Sequence, residues 1–237
     1  MEHKVKHSRF VLLLTVLFVI ACNSTPPDLY FPLDNGRYWR YEMTYQTMDG
    51  IFLGTYAVEN LGQLEIDNKK LYVRRLIDGS LNYFRLEKDG IQLLAREKTE
   101  DLQTTRNEEY RYLFRFPLQA GMEWEDSRDS KVLIKTGPPQ KTEFHISASI
   151  PVTVKIESMD DVIKVPAGTF TGCMRVRTKG NSFVNAGNYV GKTIVKLEEV
   201  NWYAPGVGLV KSERTENTTK KALDKGTITL ELAEYRE

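Results

Sequence analysis

Cysteine is nearly absent from this sequence of 237 residues: Cys22 and Cys173 are the only two, and just 3 histidines accompany them. So few thiols exclude a disulfide-dense scaffold, and with so few histidines they leave no zinc site of the usual His/Cys composition. An excess of charge of one sign is also missing, since 33 Lys plus Arg face 32 Asp plus Glu for a formal net of +1. That balance gives no electrostatic case for a nucleic-acid partner. No apolar run reaches the roughly 20 residues a helix needs to cross a bilayer. The composition, 41% hydrophobic and 27% charged, excludes a disordered or collagen-like chain.

The longest apolar stretch that is there, Phe10 to Ala21, has 12 residues and follows Lys4, Lys6 and Arg9. A basic flank before a short apolar core is the pattern of an export signal, so residues 1–21 read as a signal peptide and are set apart from the fold. The segment ends in Val19-Ile20-Ala21-Cys22, which resembles the bacterial lipobox. That resemblance implies lipidation of Cys22: cleavage leaves it as the first residue, with a diacylglyceryl thioether and an acylated amine. One acyl chain holds a protein only reversibly, whereas two or more make a stable anchor. The competing reading is an incidental thiol in a signal cleaved elsewhere.

Residues 22–29 then form a flexible tether, kept extended by Pro26 and Pro27. In the lipoproteins this resembles, an aspartate directly after the cysteine favours retention at the inner membrane. Asn23 stands there, which leans towards the outer membrane. Removing residues 1–21 leaves 30 basic and 31 acidic side chains over 216 residues, with His145 as the one histidine.

From residue 30 to 237 the dominant pattern has period two, the mark of half-buried strands. Trp39, Tyr41, Met43 and Tyr45 share one face, and Arg40, Glu42, Thr44 and Gln46 the other. Asp49-Gly50, Asp78-Gly79 and Asp89-Gly90 suit hairpin turns, because glycine adopts positive φ without a Cβ penalty. Strands are expected at 36–47, 51–59, 70–77, 81–86, 91–96, 131–135, 143–150, 152–157, 162–165, 170–178, 193–203, 208–216 and 227–235. The polar stretch Thr99 to Tyr110 reads as a short helix or a solvated loop. Many short strands joined by turns predict one all-β antiparallel domain, a strongly curved sheet forming an open or half β-barrel, with a two-sheet sandwich as the alternative.

One spacing occurs twice. Phe31-Pro32-Leu33, Gly36 and Trp39 recur as Phe116-Pro117-Leu118, Gly121 and Trp124. This reads either as duplication of a half-domain or as a lead-in device used twice, and the flanking residues do not align. Two further motifs follow, Val165-Pro166-Ala167-Gly168-Thr169-Phe170 and Trp202-Tyr203-Ala204-Pro205-Gly206-Val207-Gly208-Leu209-Val210-Lys211. Together these segments resemble a family of bacterial exported proteins and lipoproteins of uncharacterised function. The resemblance implies a mostly antiparallel β domain of the curved, open-barrel sort used by envelope lipoprotein carriers. It brings no catalytic residue.

Residues suited to catalysis are few. His145 is the one possible imidazole base of the mature chain, and its neighbours read as an ordinary strand without a GxSxG elbow. Cys173 would be a nucleophile if Arg175 and Arg177, on its strand face, lowered its pKa; otherwise it is a small buried group. Asp160-Asp161 and Glu198-Glu199 are adjacent pairs, which strands point to opposite faces, and they read as turn and surface charge. Arg106–Arg115 alternates charge with aromatics, as a partner face or as a charged edge strand would. The expectation is therefore a non-enzymatic protein with no cofactor and no metal, attached to membrane lipid through acylated Cys22. Its β domain would bind a hydrophobic ligand or an envelope protein, or serve as a structural accessory subunit; a thiol-dependent enzyme using Cys173 is the lesser alternative.

Overall fold

The computed structural model describes residues 28–47, 50–66, 68–100, 103–130, 134–137, 142–145, 149–185, 191–219 and 226–237. The expected signal peptide, Cys22 and most of the tether lie outside them. Among the described residues there is no helix; the strands are β1 Tyr38–Gln46, β2 Ile51–Ile66, β3 Lys69–Leu76, β4 Leu81–Glu87, β5 Gly90–Glu100, β6 Gln103–Arg115, β7 Glu123–Asp129, β8 Ile134–Gly137, β9 Thr142–His145, β10 Ser149–Val165, β11 Gly168–Asn185, β12 Lys192–Ala204, β13 Gly208–Thr218 and β14 Gly226–Arg236.

Twelve of them form one antiparallel sheet in the order β6-β5-β4-β3-β2-β1-β14-β13-β12-β11-β10-β7. This is two six-stranded meanders joined edge to edge at β1 and β14. The sheet curls into a nearly closed barrel whose one unsealed seam lies between β6 and β7. An antiparallel open barrel is therefore what forms, and not a sandwich. β8 and β9 pair with each other as a separate hairpin inserted between β7 and β10.

The two FPLxxGxxW segments perform the same task in the two halves. Gly36 and Gly121 both adopt positive φ, 83° and 89°. Gly36 N–H donates to Asn60 O (3.0 Å) and Asn60 N–H to Arg37 O (2.8 Å); Gly121 N–H donates to Ile156 O (2.8 Å) and Ile156 N–H to Met122 O (2.9 Å). Each tryptophan then pairs with a buried valine two residues earlier on the second strand, Trp39 with Val58 and Trp124 with Val154. The spacing repeated in the sequence is thus repeated in ladder register. Each copy starts a six-strand meander.

Alternation explains the core locally. Ile150, Val152, Val154 and Ile156 line one face of β10 and are all buried, each worth roughly 1.5–3 kcal/mol against exposure. Irregular pairing with β11 between Ile156 and Ile163 then switches the parity, so that Val165 is buried near the far end. Bulges bend a strand and re-aim its side chains in this way. The expected strands 152–157 and 162–165 are consequently one long bent strand. Another expectation needs correction: Thr99 to Tyr110 is neither helix nor loop, because Thr99 and Glu100 end β5 and 103–110 open β6. Its charges mark β6 as the exposed end of the ladder, since polar edges resist unwanted pairing.

Candidate functional site

The barrel interior is divided into two environments. One end is apolar and is closed by the lead-in segment 30–34. Asn60, buried between strands, donates from Nδ2 to Pro32 O (3.0 Å) and Asp34 O (2.9 Å). Gly206 N–H donates to Leu29 O (2.7 Å) and the Tyr30 hydroxyl to Gly172 O (3.2 Å). This is the end where β1 begins and where the turns β10–β11 and β12–β13 fall.

Within it lies Arg74. Alternation along β3 sends Leu71 and Val73 into a small outer cluster with Tyr83 and Ala95, and Arg74 to the other face. There its Nε donates to Asn60 Oδ1 (2.8 Å) and Nη2 to Pro32 O (2.9 Å). The guanidinium lies 4.1 Å from the Phe31 ring centroid, 4.9 Å from Trp39 and 5.6 Å from Phe84, a cation–π environment worth up to about 2 kcal/mol when desolvated. Among the described residues no carboxylate pairs with it. Burial lowers its pKa to about 10, opposed by the Tyr41, Tyr56 and Tyr203 phenols, so it stays charged at neutral pH. Arg74 borders a cavity of about 170 Å³ lined also by Tyr41, Tyr56, Leu113 and Tyr203. Burial pushes the pKa values of those three tyrosines up, so they remain neutral hydroxyls.

The other environment is polar and adjoins the seam. A cavity of about 410 Å³ is lined by Arg96, Arg111, Arg128 and Arg214 together with Glu109, Asp126, Asp129 and Glu199. Inward positions of β13 carry Arg214 and Glu216, whose side chains are 5% and 0% exposed. Arg214 bonds Glu216 Oε1 (2.6 Å) and Glu199 Oε2 (3.1 Å). Across the seam Arg111 meets Asp126 at 4.0 Å, and Asp126 also pairs with Arg128. Burial and the like charge of Arg128 lower the Arg111 pKa. Four cations face four lining anions, so this cavity is hydrophilic but electrically balanced.

The residues singled out in the sequence do not converge on one place. Cys173 is fully buried (0% exposed) and its Sγ donates to Phe170 O at 3.6 Å. Burial and the Asp161 carboxylate push its pKa up to about 11, the opposite of activation. The expected cations do not reach it: Arg175 pairs with Glu157 and Asp161, Arg177 with Glu157 and Glu198. The reason is the irregular pairing of β10 with β11, which turns Cys173 into the core cluster of Trp39, Val165 and Leu232 while Met174 enters the other. His145 ends β9 opposite Ile134, in the separate hairpin. Among the described residues no group of His, Cys, Asp or Glu is placed to hold a metal ion, and no helix is long and apolar enough to cross a membrane.

The acidic pairs do split between faces, yet neither is mere surface charge. Asp161 accepts from Arg175 (2.9 Å) and from Trp202 Nε1 (3.0 Å). Glu199 turns inward to Arg214 while Glu198 meets Arg177 and Lys179 outside. Arg74, Arg214 and Glu216 were not legible as interior groups. In β13 both faces are polar beyond Val210, so alternation carries no sign of which face is inside; the one hint is the continuous register with β12 and β14.

A family model described as DUF3108-like matches residues 115–223, which spans the second FPLxxGxxW segment and both later motifs. No curated protein matches the chain. Among solved structures, a protein from Bacteroides fragilis described as exported, with a YmcC-like fold, is similar at 13% identity and TM-score 0.39, covering 88% of this chain and 99% of its own. A protein from Parabacteroides distasonis described as a lipoprotein is similar at 13% identity and TM-score 0.38, with 88% and 98% covered. A domain from Vibrio parahaemolyticus described as an outer membrane lipoprotein-sorting protein is similar at 11% identity and TM-score 0.26, with 86% and 87% covered.

Proposed function

We propose that this chain is a non-enzymatic lipoprotein of the bacterial envelope, held at the outer membrane through acylated Cys22, and that its barrel interior takes up a small amphiphile. The observation that carries the reading is an unsealed barrel with an apolar interior cavity bordered by one cation that has no counter-ion among the described residues. An apolar cavity with few convergent polar groups is the general form of a small-molecule site. Its placement supports the same reading. Five residues separate Cys22 from Asp28, so the six steps between them span at most about 22 Å, and the described chain enters at the barrel end that holds Arg74.

Two measurements test it. Cys22→Ser releases the protein into the soluble envelope fraction or stalls its processing, and palmitate labels the wild type alone. Mass spectrometry of solvent extracts from the purified full chain finds a co-purifying amphiphile in near-stoichiometric amount. Extracts that contain only the covalent acyl groups and bulk membrane lipid would defeat the ligand half of the proposal; an unlabelled wild type would defeat the anchor.

A further inference from the structure

The geometry points to a more specific occupant: the Arg74 cavity is a binding site for a compact monocarboxylate, with the guanidinium as headgroup partner and the aromatic wall as the seat of its apolar body. This rests on the amphiphile reading above and narrows it to a chemical class.

Arg74 keeps a donor unspent. Of the guanidinium nitrogens, Nε and Nη2 donate to Asn60 and Pro32, and Nη1 donates to no atom of the described residues. Arg74 itself lines the cavity, so that donor is available to an occupant. Forked N–H donors fit a carboxylate in bidentate fashion. Charge points the same way. A half-buried cation with no counter-ion among the described residues is costly, and one monoanion cancels it, whereas a phosphate dianion would leave an uncompensated negative charge among tyrosines. Size agrees. An apolar cavity of about 150 Å³ accommodates benzene. At about 170 Å³, this one takes a ring or a short chain bearing the carboxylate, and not a complete long acyl chain.

The seam cavity carries no such inference. Arg111, Arg128 and Arg214 are matched by carboxylates from the same walls and Arg96 donates to Asn82 Oδ1 (3.1 Å); with four carboxylates lining the cavity against four arginines, an added anion finds no net positive field.

The experiment is equilibrium dialysis of the full chain in lipid nanodiscs against radiolabelled benzoate and benzyl alcohol, with empty nanodiscs as the blank. One benzoate binds per chain, at least tenfold more tightly than benzyl alcohol. Arg74→Gln reduces that ratio to about one. Since Arg74 also ties the lead-in segment, Leu113→Trp is the second variant: it fills the cavity, leaves Arg74 in place and abolishes saturable binding of both probes. Equal affinity of the wild type for acid and alcohol overturns the carboxylate assignment and leaves the amphiphile reading standing. Saturable benzoate binding that survives Leu113→Trp places the site elsewhere and overturns the assignment too. Absence of both probes, combined with a co-purified amphiphile in the extracts, defeats this inference alone; absence of both together with empty extracts defeats the parent reading.

Discussion

The halves of this barrel meet twice, and the two meetings differ. At β1 and β14 nine residue pairs are in register, and the inward side chains Trp39, Tyr41 and Leu232 are buried apolar or aromatic groups. At β6 and β7 no ladder forms, and the inward positions carry Glu109, Arg111, Asp126 and Arg128. The lead-in motifs and their register are the same on both sides, so the strands are delivered alike. What differs is the chemistry at the junction. Apolar side chains gain by excluding water and draw the edges together; charged ones need hydrogen-bonding partners and space, and hold an edge open. A seam is thus written in side-chain polarity and not in topology.

Breaking the polar side has the largest expected effect. Arg214→Met strips Glu216 and Glu199 of the cation they share, inside the barrel. The expected loss is about 3–5 kcal/mol of unfolding free energy, read from urea denaturation at neutral pH. A loss under about 1 kcal/mol means that water reaches the cluster through the seam.

The two lead-in tryptophans sharpen the comparison further. Trp39, 2% exposed, donates from Nε1 to Val207 O at 2.7 Å. Trp124, 7% exposed, has no hydrogen-bond partner for Nε1 among the described residues. Trp39→Phe leaves a buried carbonyl short of its donor and costs about 1–3 kcal/mol beyond the packing change. Trp124→Phe removes an orphaned donor, so it costs less than Trp39→Phe under the same denaturation assay. Equal losses would show that the two sides are equally well satisfied.

The smallest effect concerns Cys173, behind the sealed junction. Its pKa of about 11 against an ordinary 9.0 means that the fold favours the neutral thiol. The stability this contributes is complete below pH 9 and is lost as pH rises through about 11. With about a hundredfold less thiolate at pH 8, the native thiol is alkylated by iodoacetamide about a hundredfold more slowly than the unfolded one, as followed by intact-mass spectrometry. Native labelling at the unfolded rate would place Cys173 at a surface.

How much could be read in advance depended on which interactions decide each feature. Alternation in 36–47 and 193–203 was sufficient for strands, because a half-buried strand must segregate its faces. Thr99–Tyr110 misled for the converse reason: at a seam both faces of a strand are polar, and period two disappears. Cys173 is the small buried group that one of its two readings expected; that Arg175 and Arg177 turn away from it was not legible, since pairing irregularities do not appear in the pattern of one strand. The paired glutamates were only half legible, as splitting Glu198 from Glu199 follows from the pleat, whereas finding Arg214 opposite Glu199 requires the register of β12 with β13.

The export signal pattern, the lipobox-like end, the antiparallel β class and the twice-used lead-in follow from local order, since each rests on residues within a dozen positions of one another. Closure at one junction, the opening at the other and the setting of Arg74 were decided only by tertiary structure. Arg74 meets Phe31, Trp39, Asn60 and Phe84 because three neighbouring strands and a lead-in segment converge there, and a cavity exists only once its walls stand opposite one another.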